Sequence, residues 1–262
     1  MPPQQTKYTK ASSLKQIYLF APYACKRICL LVCFFLIKTK TNIGVILVNS
    51  KPKQYAVLTA DIVHSTKLSS ADYTKVMTTL KNRLEAHEEK YECKFEIFRG
   101  DSFQVLYQNI DEAMSSALSL RLFLQSGIEC SAVKLTQSLA LGEVESRTNS
   151  ISSSLGEAFI LSGRALDDAS RGDMLLSFGE DFSSTDLSVS TLFLRHLLNG
   201  LTEKQSEVLY YYIDFDFPEQ QVIADHMKMT RQNVATHLKR SGAELVKAYL
   251  LGYQEICLGK TQ

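Results

Sequence analysis

Regular hydrophobic patterning starts at Gln54 and predicts a strand followed by a helix. Gln54–Asp61 is an apolar run of strand length. Apolar residues then recur at steps of three and four from Tyr73 to Tyr91, as on one side of a helix. We expect Ser65 or Thr66 to cap this helix.

The next residues predict a hairpin, a second helix and a strand. Apolar runs at Phe95–Phe98 and Phe103–Tyr107 flank Gly100-Asp101, a good hairpin turn. A helix is predicted from about Asp111 to Ser126, with Met114, Ala117, Leu118 and Leu122 facing inward. A strand is predicted over Ser131–Leu141.

A last helix and strand complete this region. After a serine-rich loop at Ser146–Ser154, the helix carries Leu155, Phe159, Leu166 and Ala169, and Asp173–Ser177 is a short closing strand. The order β-α-β-β-α-β, followed by one helix and one strand, predicts an α+β domain. Its sheet is expected to have the split βαβ arrangement of ferredoxin-like folds, with helices on one face.

The C-terminal third is patterned as helices only. Thr202 and Gln205 are spaced as a capping box, and Pro218 suits a first helical turn. Ala224 is small enough for two helices to cross closely, and Thr230, six residues later, can cap a further helix. This spacing predicts a helix-turn-helix.

Length and charge divide the chain further. With 262 residues it exceeds the about 100–150 residues of a typical domain. We therefore expect an α+β domain over 53–182, a connecting helix over 183–200 and a helix-turn-helix domain over 201–254. Residues 1–60 contain nine Lys or Arg and no acid, whereas the rest contains 20 basic and 28 acidic residues, a balance of −8. A net-negative body argues against coating nucleic acid without sequence preference, so any DNA contact must be a local patch.

Residues 1–52 are basic and apolar, and we expect them to be an extension outside the fold. Lys26 and Arg27 interrupt the apolar stretch Ile17–Ile37, which leaves Ile28–Ile37 as its longest uncharged run. That run is much shorter than the roughly 20 residues of a membrane-spanning helix, so a membrane span is not expected. Association of this basic, aromatic-bearing segment with a membrane surface is the less favoured alternative. The six cysteines form no C-x-x-C pair and the five histidines are scattered. This pattern argues against zinc or a disulfide framework and favours reduced thiols in the cytoplasm.

Two carboxylates are the candidate metal ligands. Asp61 ends the first predicted strand, and Asp101 lies at the hairpin turn. If the two strands are neighbours, the carboxylates converge and can hold Mg²⁺ or Mn²⁺ against a phosphate. The alternative is that both residues only stabilise the turns in which they lie.

The motifs around these two residues resemble a known family. Thr59–Thr66 and Arg99–Phe103 look like the two metal-binding signatures of class III nucleotidyl cyclase domains. The resemblance to the SatD-like family is closer, since Gly100–Gln104 reproduces its Gly-Asp-x-Phe-Gln hairpin, although Ala60 stands where Gly is usual. Residues 156–166 resemble the helix that follows in both groups, and the resemblance covers roughly residues 54–178.

The resemblance implies a nucleotide ligand but also shows departures. Arg164 matches a cyclase arginine that steadies the transition state, and it can contact a phosphate or pair with a nearby Asp. Ile160 stands in place of the cyclase Asn, Ile97 in place of the base-selecting Lys, and His64 in place of a Gly. Because one missing donor typically costs about 10²–10³ in rate, cyclase activity is not expected.

Residues 201–249 resemble the helix-turn-helix of region 4 of bacterial sigma factors, except that Lys228 occupies the usual Gly position of the turn. We expect DNA to bind along residues 218–241, because amide and guanidinium groups there suit base edges and phosphates. The candidate contacts are Thr230, Arg231, Gln232, Asn233, Thr236, His237, Lys239 and Arg240. The alternative is a plain helical cap on the first domain.

Two functions follow from these observations. In the first, a dimeric regulator senses a nucleotide or a divalent metal through its degenerate cyclase-like domain and binds DNA through the helix-turn-helix. In the second, Asp61 and Asp101 serve a metal-dependent enzyme that acts on nucleotides or phosphoesters.

Overall fold

The computed structural model describes residues 53–144, 151, 154–180 and 184–259. The predicted extension over 1–52 and most of the serine-rich loop lie outside the described residues. Five strands form one sheet in the order β2-β3-β1-β4-β5. They are β1 (Gln54–Ile62), β2 (Cys93–Phe98), β3 (Ser102–Tyr107), β4 (Leu135–Glu143) and β5 (Met174–Phe178).

The described chain also forms eight α-helices, which confirms the mixed α+β class. They are α1 (Ser70–Tyr91), α2 (Ile110–Ser126), α3 (Glu157–Asp168), α4 (Thr185–Asn199), α5 (Glu203–Asp214), α6 (Gln220–Met227), α7 (Arg231–Arg240) and α8 (Ala243–Cys257). Strand β1 pairs antiparallel with β3 and β4, β2 pairs antiparallel with β3, and β5 lies parallel to β4. No described helix is long and apolar enough to cross a bilayer.

Strand β1 lies at the centre of the sheet and is buried on both faces. Its alternate residues Ala56, Leu58, Ala60 and Ile62 belong to the main core. The intervening Tyr55 and Val57 join a smaller cluster on the other face, together with Leu106, Ile151 and Ala158. Successive side chains of a strand point to opposite faces of the sheet. Because both faces are buried here, nearly every residue of β1 is apolar.

Helix α1 begins later than the sequence predicts. Its N-cap is Ser69, whose hydroxyl accepts a hydrogen bond from the Asp72 amide at 3.1 Å. Ser65 and Thr66, the expected caps, belong instead to a short 3-10 helix. The apolar stripe predicts where the middle of the helix lies. It does not predict the first residue, because several nearby Ser and Thr residues are suitable N-caps.

Helix α2 is buried on nearly all sides. The four residues expected to face inward are buried, but so are Ser119, Leu120 and Leu124 on other sides. The sheet covers one side of α2, and α1, α5 and α8 cover the others. The sheet and the C-terminal helices therefore share one core within a single compact unit.

A fully buried arginine joins the elements around α2. The two terminal nitrogens of Arg121 donate to the Leu135 carbonyl at 2.8 Å and to the Gly172 carbonyl at 2.6 Å. The second nitrogen also reaches Asn199 Oδ1 at 2.7 Å. Burial lowers the pKa of Arg121 to about 10, so it stays charged at neutral pH. One side chain thus links α2 to β4, to the loop before β5 and to α4.

A second link joins α1 to α5. Asp214 pairs with Arg83 at 3.1 Å and with Lys90 at 2.9 Å. Burial would raise the pKa of Asp214, but the hydrogen bond from Lys90 and the charge of Arg83 outweigh it and lower the pKa. The Arg83 guanidinium also lies 4.9 Å from the ring centroids of Phe123 and Tyr210.

The C-terminal helices form largely as predicted. The capping box of Thr202 and Gln205 is present, and the Thr230 hydroxyl accepts a hydrogen bond from the Asn233 amide. Lys228 ends α6 with a φ of 52°. This left-handed conformation explains why Gly is usual at that position. Pro218 lies just before the N-cap of α6 and not within its first turn.

A buried polar chain connects α1, α2 and β3. His87 Nδ1 lies 2.8 Å from the Ser116 hydroxyl, which lies 2.9 Å from the Tyr107 hydroxyl. Burial, reinforced by the charge of Arg83, lowers the pKa of His87 to about 3. The ring is therefore neutral in the folded protein over the whole physiological range.

We expect Arg121→Met to destabilise the protein by about 2–4 kcal/mol, because it leaves two buried carbonyls without a donor. Urea denaturation of the full chain measures this loss. The exposed Arg171→Met is the matched control and should stay within about 0.5 kcal/mol of the wild type. Equal effects of the two changes would contradict the linking role of Arg121.

We expect His87 to make stability depend on pH. Its pKa is about 3 when folded, against an ordinary value of 6.5, so the unfolded chain binds the extra proton between these values. Stability then falls as the pH drops from 6.5 towards 3, with a His87 contribution of up to about 1.4 kcal/mol per pH unit. Urea denaturation of wild type and His87→Gln at several pH values measures it. The variant should lose this slope, and parallel curves would contradict the assignment.

Candidate functional site

The sheet brings Asp61 and Asp101 to the same edge. Asp61 pairs in register with Ser102, the residue after Asp101. The Ile62 amide donates to the Asp101 carbonyl at 3.3 Å. The antiparallel pairing of β1 and β3 therefore places the two residues side by side, as the predicted topology requires.

A serine hydroxyl holds each carboxylate. Ser102 Oγ donates to Asp61 Oδ1 at 2.9 Å, and the buried Ser65 donates to Asp101 Oδ2. Burial raises the pKa of Asp61, and the nearby charge of Asp101 raises it further, while the hydrogen bond from Ser102 opposes both effects. Two like charges held together create a site where a cation lowers the electrostatic free energy.

The hairpin turn has three residues, not the predicted two, because Phe98 pairs directly with Ser102. Arg99 and Gly100 have φ values of 52° and 90°. The Tyr73 hydroxyl donates to the Gly100 carbonyl at 2.9 Å, and a Cβ on Gly100 would lie only 3.1 Å from that hydroxyl. Glycine at this position therefore allows both the turn and the contact with α1.

A groove of about 460 Å³ opens beside Asp101. Its lining includes Arg99 together with several hydroxyl groups: Ser65, Thr66, Ser70, Tyr73 and Thr74. An arginine and hydroxyls are suitable partners for phosphate oxygens. Arg99 was not among the residues singled out from the sequence, although its place directly before Gly100 in the hairpin signature could have indicated it.

The donor set suits a hard cation only in part. Within the described residues there is no group of three or more His, Cys, Asp or Glu that could hold a metal ion. Two carboxylates suit Mg²⁺ or Mn²⁺, which usually keep several waters and share phosphate oxygens with a substrate. The residues therefore fit a metal that arrives with a nucleotide better than a permanently bound ion.

The remaining positions of the cyclase resemblance differ in their exposure to solvent. Arg164 and Ile160 are exposed on α3, whereas Ala158 and Ser162 on its other side are buried. In the described part of the chain Arg164 forms no ion pair with Asp167 or Asp168. Ile97 packs against the core, where a charged lysine would be costly.

Helix α7 presents a polar surface. Val234 and Leu238 are buried, and the exposed residues are Arg231, Gln232, Asn233, Thr236, Lys239 and Arg240. Thr230, the cap, is exposed as well. His237 differs, since it is half-buried and its Nδ1 is buried without a hydrogen-bond partner in the described structure.

No protein-family model matches the chain, and no curated protein matches it. Similar solved structures include the monomeric guanylyl cyclase domain of the RhoGC fusion protein from the aquatic fungus Blastocladiella emersonii. It is 15% identical, with 48% of this chain and 81% of that chain covered and a TM-score of 0.41.

Two adenylyl cyclase structures are similar to the same degree. The Trypanosoma brucei structure is 15% identical, with 47% of this chain and 73% of that chain covered and a TM-score of 0.40. The structure of CyaB from P. aeruginosa is also 15% identical, with 47% of this chain and 76% of that chain covered and a TM-score of 0.38. Similarity this low gives no information about the activity of this chain.

Proposed function

We propose that this chain is a DNA-binding transcription regulator whose α+β half senses a nucleotide together with a divalent metal. In this proposal β1 to β5 with α1 to α3 form a ferredoxin-like, cyclase-like domain of the SatD type. Helices α5 to α8 form the helix-turn-helix region, which shares its core with the sheet.

The exposed face of α7 is the observation that supports DNA binding most strongly. Helices α6 and α7 are joined by three residues, Lys228 to Thr230, the arrangement of a helix-turn-helix. Between His226 and Ala243 there are four Lys or Arg and no acid. A basic, amide-rich helix surface in an otherwise acidic body is suited to a major groove.

The carboxylate pair supports the sensing role. Asp61 and Asp101 supply negative charge for Mg²⁺ or Mn²⁺, and Arg99 lies beside Asp101 for a phosphate. Arg164 remains a candidate nucleotide contact from its exposed position on α3. The lysine and asparagine of the cyclase pattern are replaced by Ile97 and Ile160, so we propose binding without cyclase turnover.

We expect Arg231→Ala/Arg240→Ala to lower affinity for DNA from the protein's own promoter by about 10–100-fold, since two charged contacts to bases or phosphates are lost. Fluorescence anisotropy at two salt concentrations measures this effect. The salt dependence should become shallower if either arginine contacts a phosphate. Lys81→Ala/Arg171→Ala, which removes two exposed charges elsewhere, is the control. Unchanged binding by the α7 variant would count against DNA recognition through α7.

The enzyme alternative depends on the same two carboxylates. We expect Mn²⁺ to bind the full chain in the presence of a nucleoside triphosphate, and Asp61→Asn or Asp101→Asn to weaken it at least about 10-fold. Titration calorimetry measures this, with the exposed Glu89→Gln as control. Equal Mn²⁺ binding by all variants would refute the site. Mn²⁺-dependent consumption of the nucleotide, lost in Asp61→Asn, would favour the enzyme.

A further inference from the structure

Helix α4 has apolar residues on two sides, and only one side is covered in the described chain. Leu187, Leu194 and Leu198 are buried. The opposite side carries three large apolar residues that are 47–73% exposed: Val189, Leu192 and Phe193. They are spaced at i, i+3 and i+4, so they form one stripe. A stripe of this kind on a surface helix marks a contact with another molecule.

An apolar groove of about 630 Å³ lies beside this stripe, between α4 and α8. Leu197, Tyr249 and Ile256 form much of its wall, and Phe193 and Leu245 stand at its edge. Leu245 is 69% exposed. The same face of the molecule therefore carries both projecting apolar side chains and a cavity that such side chains could fill.

The floor of the groove contains a glycine that nothing in the described chain requires. Gly252 lies in the interior of α8, and a Cβ built on it would meet no atom within 4 Å. Glycine is unfavourable inside a helix compared with alanine. A second helix crossing closely over Gly252 and the exposed Ala248 would account for these small residues, because interhelical distance depends on side-chain size at the contact.

We propose that a second copy of this chain covers this surface, with its α4 stripe in the groove of the first copy. A two-fold interface uses the same patch twice, so it requires projection and cavity on one face, as found here. The four exposed apolar side chains supply on the order of 400 Å² per copy, about half of the roughly 800 Å² per partner of a standard interface. The groove walls supply the rest.

Charge at the two ends of α4 agrees with an antiparallel crossing. Asp186 lies in the first turn of α4 and His196 in the last, and both line the groove. If the α4 helices of the two copies cross antiparallel, Asp186 faces the partner's His196. The two helix dipoles then point in opposite directions, which is the favourable arrangement for neighbouring helices. This surface goes beyond the proposed function, since it needs neither DNA nor a nucleotide, and it lies on helices other than α7.

Sedimentation equilibrium of the full chain without DNA or metal tests the proposal, over about 0.1–100 μM, the range in which a micromolar dimer dissociates. We expect a dimer whose dissociation constant rises at least about 10-fold in Phe193→Asp and in Gly252→Leu. Leu251→Asp, on the same helix but outside the groove, is the matched control and should leave it unchanged. Because Gly252 has open space beside it, Gly252→Leu should keep the wild-type circular dichroism spectrum and unfolding midpoint.

A wild type that is monomeric over the whole range would overturn the proposal. A dimer that neither variant weakens would place the interface elsewhere and would also overturn it. Either result leaves DNA binding through α7 unaffected, because that is measured separately.

Discussion

The central constraint in this protein is the burial of helix α2. A helix that packed on the sheet alone would keep a solvated side, but α2 is covered by the sheet on one side and by α1, α5 and α8 on the others. Two buried polar side chains of α2 bind neighbouring elements. Arg121 binds two carbonyls and Asn199, and Gln125 donates to the Leu198 carbonyl at 3.1 Å. The strands that carry the candidate ligand site therefore pack on the same helix as α5 and α8, and α5 and α8 in turn support α7, the helix of the proposed DNA interface.

Helix α1 adds a physical connection between the two regions. Near its start, Tyr73 binds the hairpin turn that carries Asp101. Near its end, Arg83 and Lys90 hold Asp214 at the end of α5. In the proposed regulator, a ligand that binds Asp61 and Asp101 acts on the hairpin between β2 and β3, which contacts the first turn of α1. The later part of α1 contacts α5 in the helix-turn-helix region. Regulation through α1 requires that this helix has two positions and that the ligand binds more tightly to the protein in one of them.

The order of strands and helices was predictable, because each element has a clear period and each boundary a turn signal. The adjacency of Asp61 and Asp101 followed from that order once the split βαβ arrangement was assumed, because it places the first strand beside the hairpin. The start of α1 at Ser69 was not predictable, since Ser65 and Thr66 are equally good caps by type. Leu155 was expected on the third helix but precedes it, because Gly156 is the N-cap of α3, and its side chain is exposed. The complete burial of α2 could not be predicted either, because Ser116 and Arg121 look like a solvent-exposed face until their hydrogen-bond partners on other elements are known.

The shared core can be tested most directly by native-state hydrogen exchange on the full chain. The amides of β1, at the centre of the sheet, and those of α5, in the C-terminal helices, report the two regions separately. If one core joins them, both sets should exchange through the same global opening, with free energies that agree within about 1 kcal/mol and fall together in Arg121→Met. Exchange of α5 at a much lower free energy than β1, unchanged by that substitution, would show two independent domains and contradict the account.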